Sequence, residues 1–75
     1  MACLVCNNPI VDKAHIKTRG AGGSDAPFNI MLLCRAHHQE QHMVGLVTFT
    51  NKYPKVTKYL LDSGWIMERG KWRHY

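Results

Sequence analysis

Apolar residues come in short bursts along this chain, separated by polar and glycine-rich stretches. Residues 10–16, IVDKAHI, place β-branched side chains at 10, 11 and 16 and predict a short strand. Residues 17–28, KTRGAGGSDAPF, contain Gly20, Gly22, Gly23 and Pro27 and predict a loop. The burst NIMLL at 29–33 predicts a second strand, paired with the first. Residues 34–44, CRAHHQEQHMV, are good helix formers and stop at Gly45. Beyond it, LVTFT at 46–50 predicts an extended segment. Pro54 suits the first turn of a helix, Val56, Tyr59 and Leu60 fall at helical spacing, and Ser63-Gly64 closes it. Two apolar-aromatic bursts, Trp65-Ile66-Met67 and Trp72-Arg73-His74-Tyr75, split by Glu68-Arg69-Gly70-Lys71, predict a β-hairpin. The pattern is that of a small α+β domain occupying 1–75, with its core at 3–44 and a helix-plus-hairpin extension at 46–75.

Length changes this picture first. A 75-residue chain buries a core that supplies only about 3–5 kcal/mol, so a staple is expected. Cys3 and Cys6 stand at C-x2-C spacing, and Cys34 and His37 at C-x2-H spacing. Three cysteines cannot all pair as disulfides, whereas three thiolates and an imidazole make a closed tetrahedral zinc shell. Residues 34 and 37 share a helix face. The alternatives are that His38 replaces His37, or that the cysteines are merely small buried hydrophobes. Free thiolates fit a reducing cytoplasm, and no signal peptide or run of apolar residues long enough to span a membrane is visible.

His38 and His42 are four residues apart and share another face of the same helix, since successive positions turn by about 100°. Such a pair is a two-ligand platform for a divalent metal; the alternative is two solvated surface histidines. His15, on the first strand beside the glycine loop, is a candidate general base, because imidazoles titrate near neutrality. The formal charge is +5 and the pI about 9.4, which favours a polyanionic partner. Lys13, Lys17, Arg19 and Arg35 flank the histidines and are candidate phosphate contacts, with Arg19 the leading one; more basic residues lie in the tail. Trp65, Trp72 and Tyr75 are expected to pack the C-terminal core rather than stack on bases.

Taken in order, C3-L-V-C6, A14-H15-I16, N29, and L33-C34-R35-A36-H37-H38 with H42 resemble the HNH endonuclease family, in a version that carries a zinc knuckle. The resemblance covers residues 3–44. The stretch R19-G20-A21-G22-G23-S24-D25 is similar to a loop of small HNH proteins of phage and bacterial origin, which implies a bacterial host cytoplasm if the chain is phage-encoded. The resemblance implies a ββα-metal (His-Me finger) core, metal-dependent DNA hydrolysis, and 5′-phosphate and 3′-hydroxyl products. His15 matches the general base, and His38 and His42 match the helix ligands of the catalytic metal. Cys3, Cys6, Cys34 and His37 match the structural zinc shell. Asn29 matches the middle Asn, which in the family orders the inter-strand loop, supports the base or in some members binds metal. The family usually carries an Asp or His ligand directly before the base, and here that position is Ala14. Asp12 lies on the same strand face and substitutes directly or through water, or the two histidines and the phosphate hold the metal alone, or activity is weak or lost. The catalytic metal is Mg²⁺, Mn²⁺, Ni²⁺ or Zn²⁺, imidazole ligands suiting Mg²⁺ least. A non-catalytic zinc module, or a subunit of a larger phage nuclease assembly, is the competing reading. The oligomeric state is left open, with a monomer compatible.

Overall fold

The computed structural model describes residues 2–17 and 23–74. It is a small α+β fold of two antiparallel two-stranded sheets and three helices. Strand β1 (Asp12–His15) pairs with β2 (Ile30–Leu33) in a register that sets Asp12 opposite Leu33 and His15 opposite Ile30. Helix α1 (Arg35–Val44) follows β2 directly, then α2 (Leu46–Lys52) and α3 (Pro54–Asp62). Strands β3 (Trp65–Glu68) and β4 (Lys71–His74) close the chain as a hairpin. The strand expected over 10–16 is shorter, because Ile10 is exposed and the ladder begins only at Asp12. Asn29, expected to open the second strand, instead ends a single 3₁₀ turn, Pro27–Asn29.

The β1–β2 hairpin has one core face. Ala14, Met31 and Leu33 are all fully buried, and Asp12 shares their side of the ladder. Lys13 and His15 point to the other side, where they are exposed and half-buried. The N-terminal knuckle is tied to this hairpin by the Leu4 N–H, which donates to the Leu32 carbonyl at 2.9 Å. Its turn closes with the Asn7 amide on the Cys3 carbonyl at 2.9 Å, and Asn7 takes the left-handed φ of 65° that Asn tolerates.

The segment 46–50, expected to be extended, is helical. Its β-branched residues mislead on propensity alone. Leu46, Phe49, Thr50 and Tyr53 fall at i, i+3, i+4 and i+7, and this stripe packs inward, with Phe49 fully buried. Thr50 satisfies its buried hydroxyl by donating to the Val47 carbonyl at 2.8 Å, which removes the cost of placing it there. Gly45, at φ 85°, ends α1 and turns the chain straight into α2. Tyr53, extended, separates α2 from α3, which begins at Pro54 as expected.

The C-terminal hairpin turns through Arg69 and Gly70, both at positive φ (52° and 78°), the two-residue geometry that matches strand twist. Trp65 is buried and donates its indole N–H to the Phe28 carbonyl at 2.7 Å; Trp72 donates to Thr50 Oγ1 at 3.1 Å. Both tryptophans therefore dock the hairpin on the core, as expected of them, while Tyr75 lies outside the described residues. Among the described residues, no helix is long and apolar enough to cross a membrane.

Candidate metal centre and active site

The knuckle turn delivers Cys3 and Cys6 to the start of α1, where Cys34 is the N-terminal boundary residue and His37 sits in the first turn. Cys6 Sγ lies 3.7 Å from Cys34 Sγ, and His37 Nδ1 lies 3.2 Å from Cys34 Sγ and 3.6 Å from Cys3 Sγ. All four donor atoms fall within 4.8 Å of one another. A tetrahedral zinc with ordinary bond lengths separates two sulfurs by about 3.8 Å and sulfur from nitrogen by about 3.5 Å. The donor set fits such an ion, and the three separations of 3.2–3.7 Å are close to those it requires. His37 joins the cysteines and His38 turns elsewhere. Burial alone does not account for the thiols, since Cys6 is exposed.

The electrostatics suit a thiolate site. Burial raises the Cys3 thiol, but backbone N–H groups of Cys34, Cys6 and Val5 and the Cys6 side chain outweigh it and bring it down to about 6. The Asn8 amide lowers Cys6, yet burial and the neighbouring Cys3 and Cys34 sulfurs leave it raised. Behind the centre, the His37 ring meets Tyr53 edge-on at 5.4 Å. Tyr53 Oη donates to Glu40 Oε1 at 2.7 Å and Lys52 Nζ donates to Glu40 Oε2 at 2.6 Å. The Lys52 hydrogen bond, then that of Tyr53, holds Glu40 below the usual carboxylate range; the same Glu40 contact raises Lys52. This cluster braces α1 against the α2–α3 junction.

On the neighbouring face of α1, His38 and His42 turn their rings toward each other, centroids 4.9 Å apart and Nε2 atoms 3.2 Å apart. Two imidazole nitrogens bound side by side to one divalent ion stand about 3.0–3.4 Å apart, so the pair fits a shared metal. Asp12 meets the other nitrogen: its Oδ2 is 3.3 Å from His38 Nδ1 and also takes Arg35 Nε at 3.0 Å. A carboxylate accepting from Nδ1–H fixes the tautomer that leaves Nε2 free to ligate. Among groups of three or more metal-binding side chains in the described residues, only the Cys3, Cys6, Cys34 and His37 set converges within ligand reach.

His15 ends β1 and is half-buried. Its Nε2 lies 2.7 Å from Asp25 Oδ1. Its carbonyl accepts from Gln41 Nε2 at 3.3 Å, which brings the end of β1 against the turn of α1 that carries His38 and His42. Gln41 is buried, and its Oε1 has no protein partner. Asn29 is buried too. Its Oδ1 accepts from the Lys17 amide at 2.7 Å, while its Nδ2 donates to the Lys17 carbonyl at 3.0 Å and the Ser24 carbonyl at 2.6 Å. Asn29 thus ties together the two ends of the glycine loop, Lys17 and Ser24. Lys13 and Lys17 are exposed, Arg35 is exposed but engaged with Asp12, and Arg19 lies outside the described residues. Asp25 and Gln41 escaped the sequence reading. Asp25 carries the one available signal, an acid in a loop ten residues after a histidine; Gln41 gives none, because its partner is a backbone carbonyl.

The fold and the clustered side chains define a small α+β protein whose Cys3, Cys6, Cys34 and His37 are compatible with a zinc knuckle. A family model described as "Putative HNHc nuclease" matches residues 1–68, and the chain belongs to this HNH nuclease family. No curated protein and no solved structure matches the chain.

Proposed function

We propose that the chain is a metal-dependent DNA endonuclease of HNH type, with β1, β2 and α1 as a ββα-metal core and residues 1–75 as one domain. The observation that carries this reading is the convergence of His38 and His42 Nε2 at 3.2 Å, with Asp12 on the far nitrogen of His38. These two histidines would hold one divalent ion, and Asp12 would orient His38 rather than ligate. A metal bound there supplies Lewis-acid stabilisation of the charge that develops on phosphate oxygens. Zinc at the Cys3, Cys6, Cys34 and His37 set serves folding, since binding energy there is folding energy.

His15 is the general base. With Nε2–H donating to Asp25, its lone pair sits on Nδ1, and that atom takes the proton of the attacking water. Gln41 and Asn29 are positioning residues: one holds the His15 carbonyl, the other the loop that carries Asp25. Lys13, Lys17, Arg19 and Arg35 would contact backbone phosphates, which gives affinity without sequence readout.

A second reading is favoured by Ala14. It is fully buried in the hairpin core and offers no ligand where the resembled family usually has one. A zinc-knuckle module that binds nucleic acid or protein without cutting, or a subunit of a larger phage nuclease assembly, accommodates that residue.

Nicking of supercoiled plasmid separates the two. Wild type and His15→Ala are compared with EDTA, Mg²⁺, Mn²⁺, Ni²⁺ or Zn²⁺. Metal-dependent cleavage that the variant loses supports the nuclease; no cleavage by a folded, zinc-loaded protein with any metal supports the binding module.

A further inference from the structure

A cavity of about 460 Å³ opens between the Pro27–Asn29 turn and the C-terminal hairpin. Buried Asn29 and Trp65 line it, Phe28 and Trp72 supply aromatic surface, and Lys17 and Arg73 supply charge. Among the described residues, no Asp or Glu lines it, although Arg73 pairs with Glu68 at 2.7 Å. Phe28 stands out. It is 39% exposed, and its ring stacks on His74 with centroids 3.9 Å apart and planes 22° off parallel. A partly exposed aromatic ring thus shares the cavity with two basic residues, Lys17 and Arg73.

The cavity adjoins the proposed active site. Ile16 and Lys17, which line it, immediately follow His15, and Ser24 precedes Asp25, the His15 partner. Aromatic surface flanked by cations matches one chemistry in particular: nucleobases stack on the rings while their phosphates meet the basic groups. A duplex cannot present base faces, because they are already stacked and paired, so a groove of this kind reads unpaired nucleotides.

We infer that the groove between the Pro27–Asn29 turn and the C-terminal hairpin binds an unpaired stretch of nucleic acid, with Phe28 as stacking platform and Lys17 and Arg73 as phosphate contacts. Its place beside His15 rests on the nuclease reading, and it makes flaps, gaps and frayed ends better substrates than plain duplex.

The test uses the full zinc-loaded chain with no added divalent ion, so binding is read without cleavage. Fluorescence anisotropy compares a labelled oligo-dT of about twelve nucleotides with a duplex hairpin carrying a similar number of phosphates. The expected result is tighter binding of the single strand, and a loss of about tenfold in Phe28→Ala that Phe28→Tyr restores. Duplex affinity should stay within about twofold in Phe28→Ala, since phosphate contacts alone hold it. Equal affinity of wild type for strand and duplex, or a folded Phe28→Ala that binds oligo-dT like wild type, overturns the inference. Should Phe28→Ala fail to fold, tryptophan emission of the wild type decides: quenching by oligo-dT but not by duplex is expected, and equal response to both refutes it. Plasmid nicking without strand preference would sink this inference alone, whereas strand binding without nicking in any metal would sink the nuclease reading alone.

Discussion

Asn29 offers the sharpest energetic test. Its amide makes three hydrogen bonds, one from the Lys17 N–H and one each to the Lys17 and Ser24 carbonyls, and the side chain is 1% exposed. Asn29→Ala removes all three. At about 1 kcal/mol net per neutral hydrogen bond the gross loss is about 3 kcal/mol. Lys17 and Ser24 are exposed residues, so water regains part of this and about 2 kcal/mol is expected to remain. For a domain of this size that corresponds to a melting temperature lower by about 8–16 °C. Asn29→Asp should be worse despite its near-identical shape. It keeps the acceptor for the Lys17 amide but turns carboxylate lone pairs, instead of N–H groups, toward two carbonyls in a buried site. The assay is thermal unfolding by circular dichroism with zinc loaded and chelator absent. An alanine variant melting within about 3 °C of wild type, or an aspartate variant more stable than the alanine one, would refute the reasoning that this side chain ties the loop.

Metal analysis after gel filtration should find about one tightly held zinc per chain, and Cys6→Ser should lose it or unfold; a folded, metal-free Cys6→Ser would remove the zinc argument. Tyr59→Phe strips the donor that reaches the Ile30 carbonyl at 2.6 Å and should cost about 1 kcal/mol, read by urea unfolding, with an unchanged midpoint counting against it. Glu40 is held below its usual range, so its contribution is present above the unfolded carboxylate pKa and lost as pH falls through the lowered folded value. Lys52 is raised, so its contribution is present below the unfolded lysine value and lost as pH rises through the raised one. The melting difference between wild type and Glu40→Gln should therefore be flat at neutral pH and shrink at both extremes; a difference independent of pH would contradict the pair. Asp12→Asn should weaken metal binding at His38 and His42 about 10–100-fold, measured by isothermal titration in the zinc-loaded protein, whereas unaltered affinity would deny Asp12 its orienting role.

Much of this architecture was legible before any coordinates. Cys34 and His37 announced their partnership by spacing, because a helix turns three residues into one face, and the C-x2-C pair needed only a tight turn. The second face, with His38 and His42, followed from the same 100° arithmetic. Pro54 marked the start of its helix because its ring fixes φ, and Gly70 marked the hairpin turn because glycine tolerates positive φ. What failed did so where packing overrules local preference. Thr48 and Thr50 argue for a strand, but Phe49 and Leu46 bury only if the segment coils. Gln41 was invisible because its partner is a backbone carbonyl that every residue possesses, and Asp25 offered only its place in a loop ten residues after His15. The aim of Asp12 at the far nitrogen of His38 was likewise unreadable, since the sequence gives its strand face and not which ring edge it meets.

The knuckle has a topological consequence. Cys3 and Cys6 precede β1, and Cys34 and His37 follow β2, so a metal on these four side chains closes the intervening chain into a ring. Inside a ring, a single backbone cut does not set the two pieces free. A protease that cleaves after Arg19 would leave one fragment of 19 residues and another of 56, still clasped by the ion and by the β1–β2 ladder. The nicked protein would migrate as one body until a chelator opens the clasp. A metal held there would add a chelator-sensitive clasp to the one the strands already provide across a cut in the glycine loop.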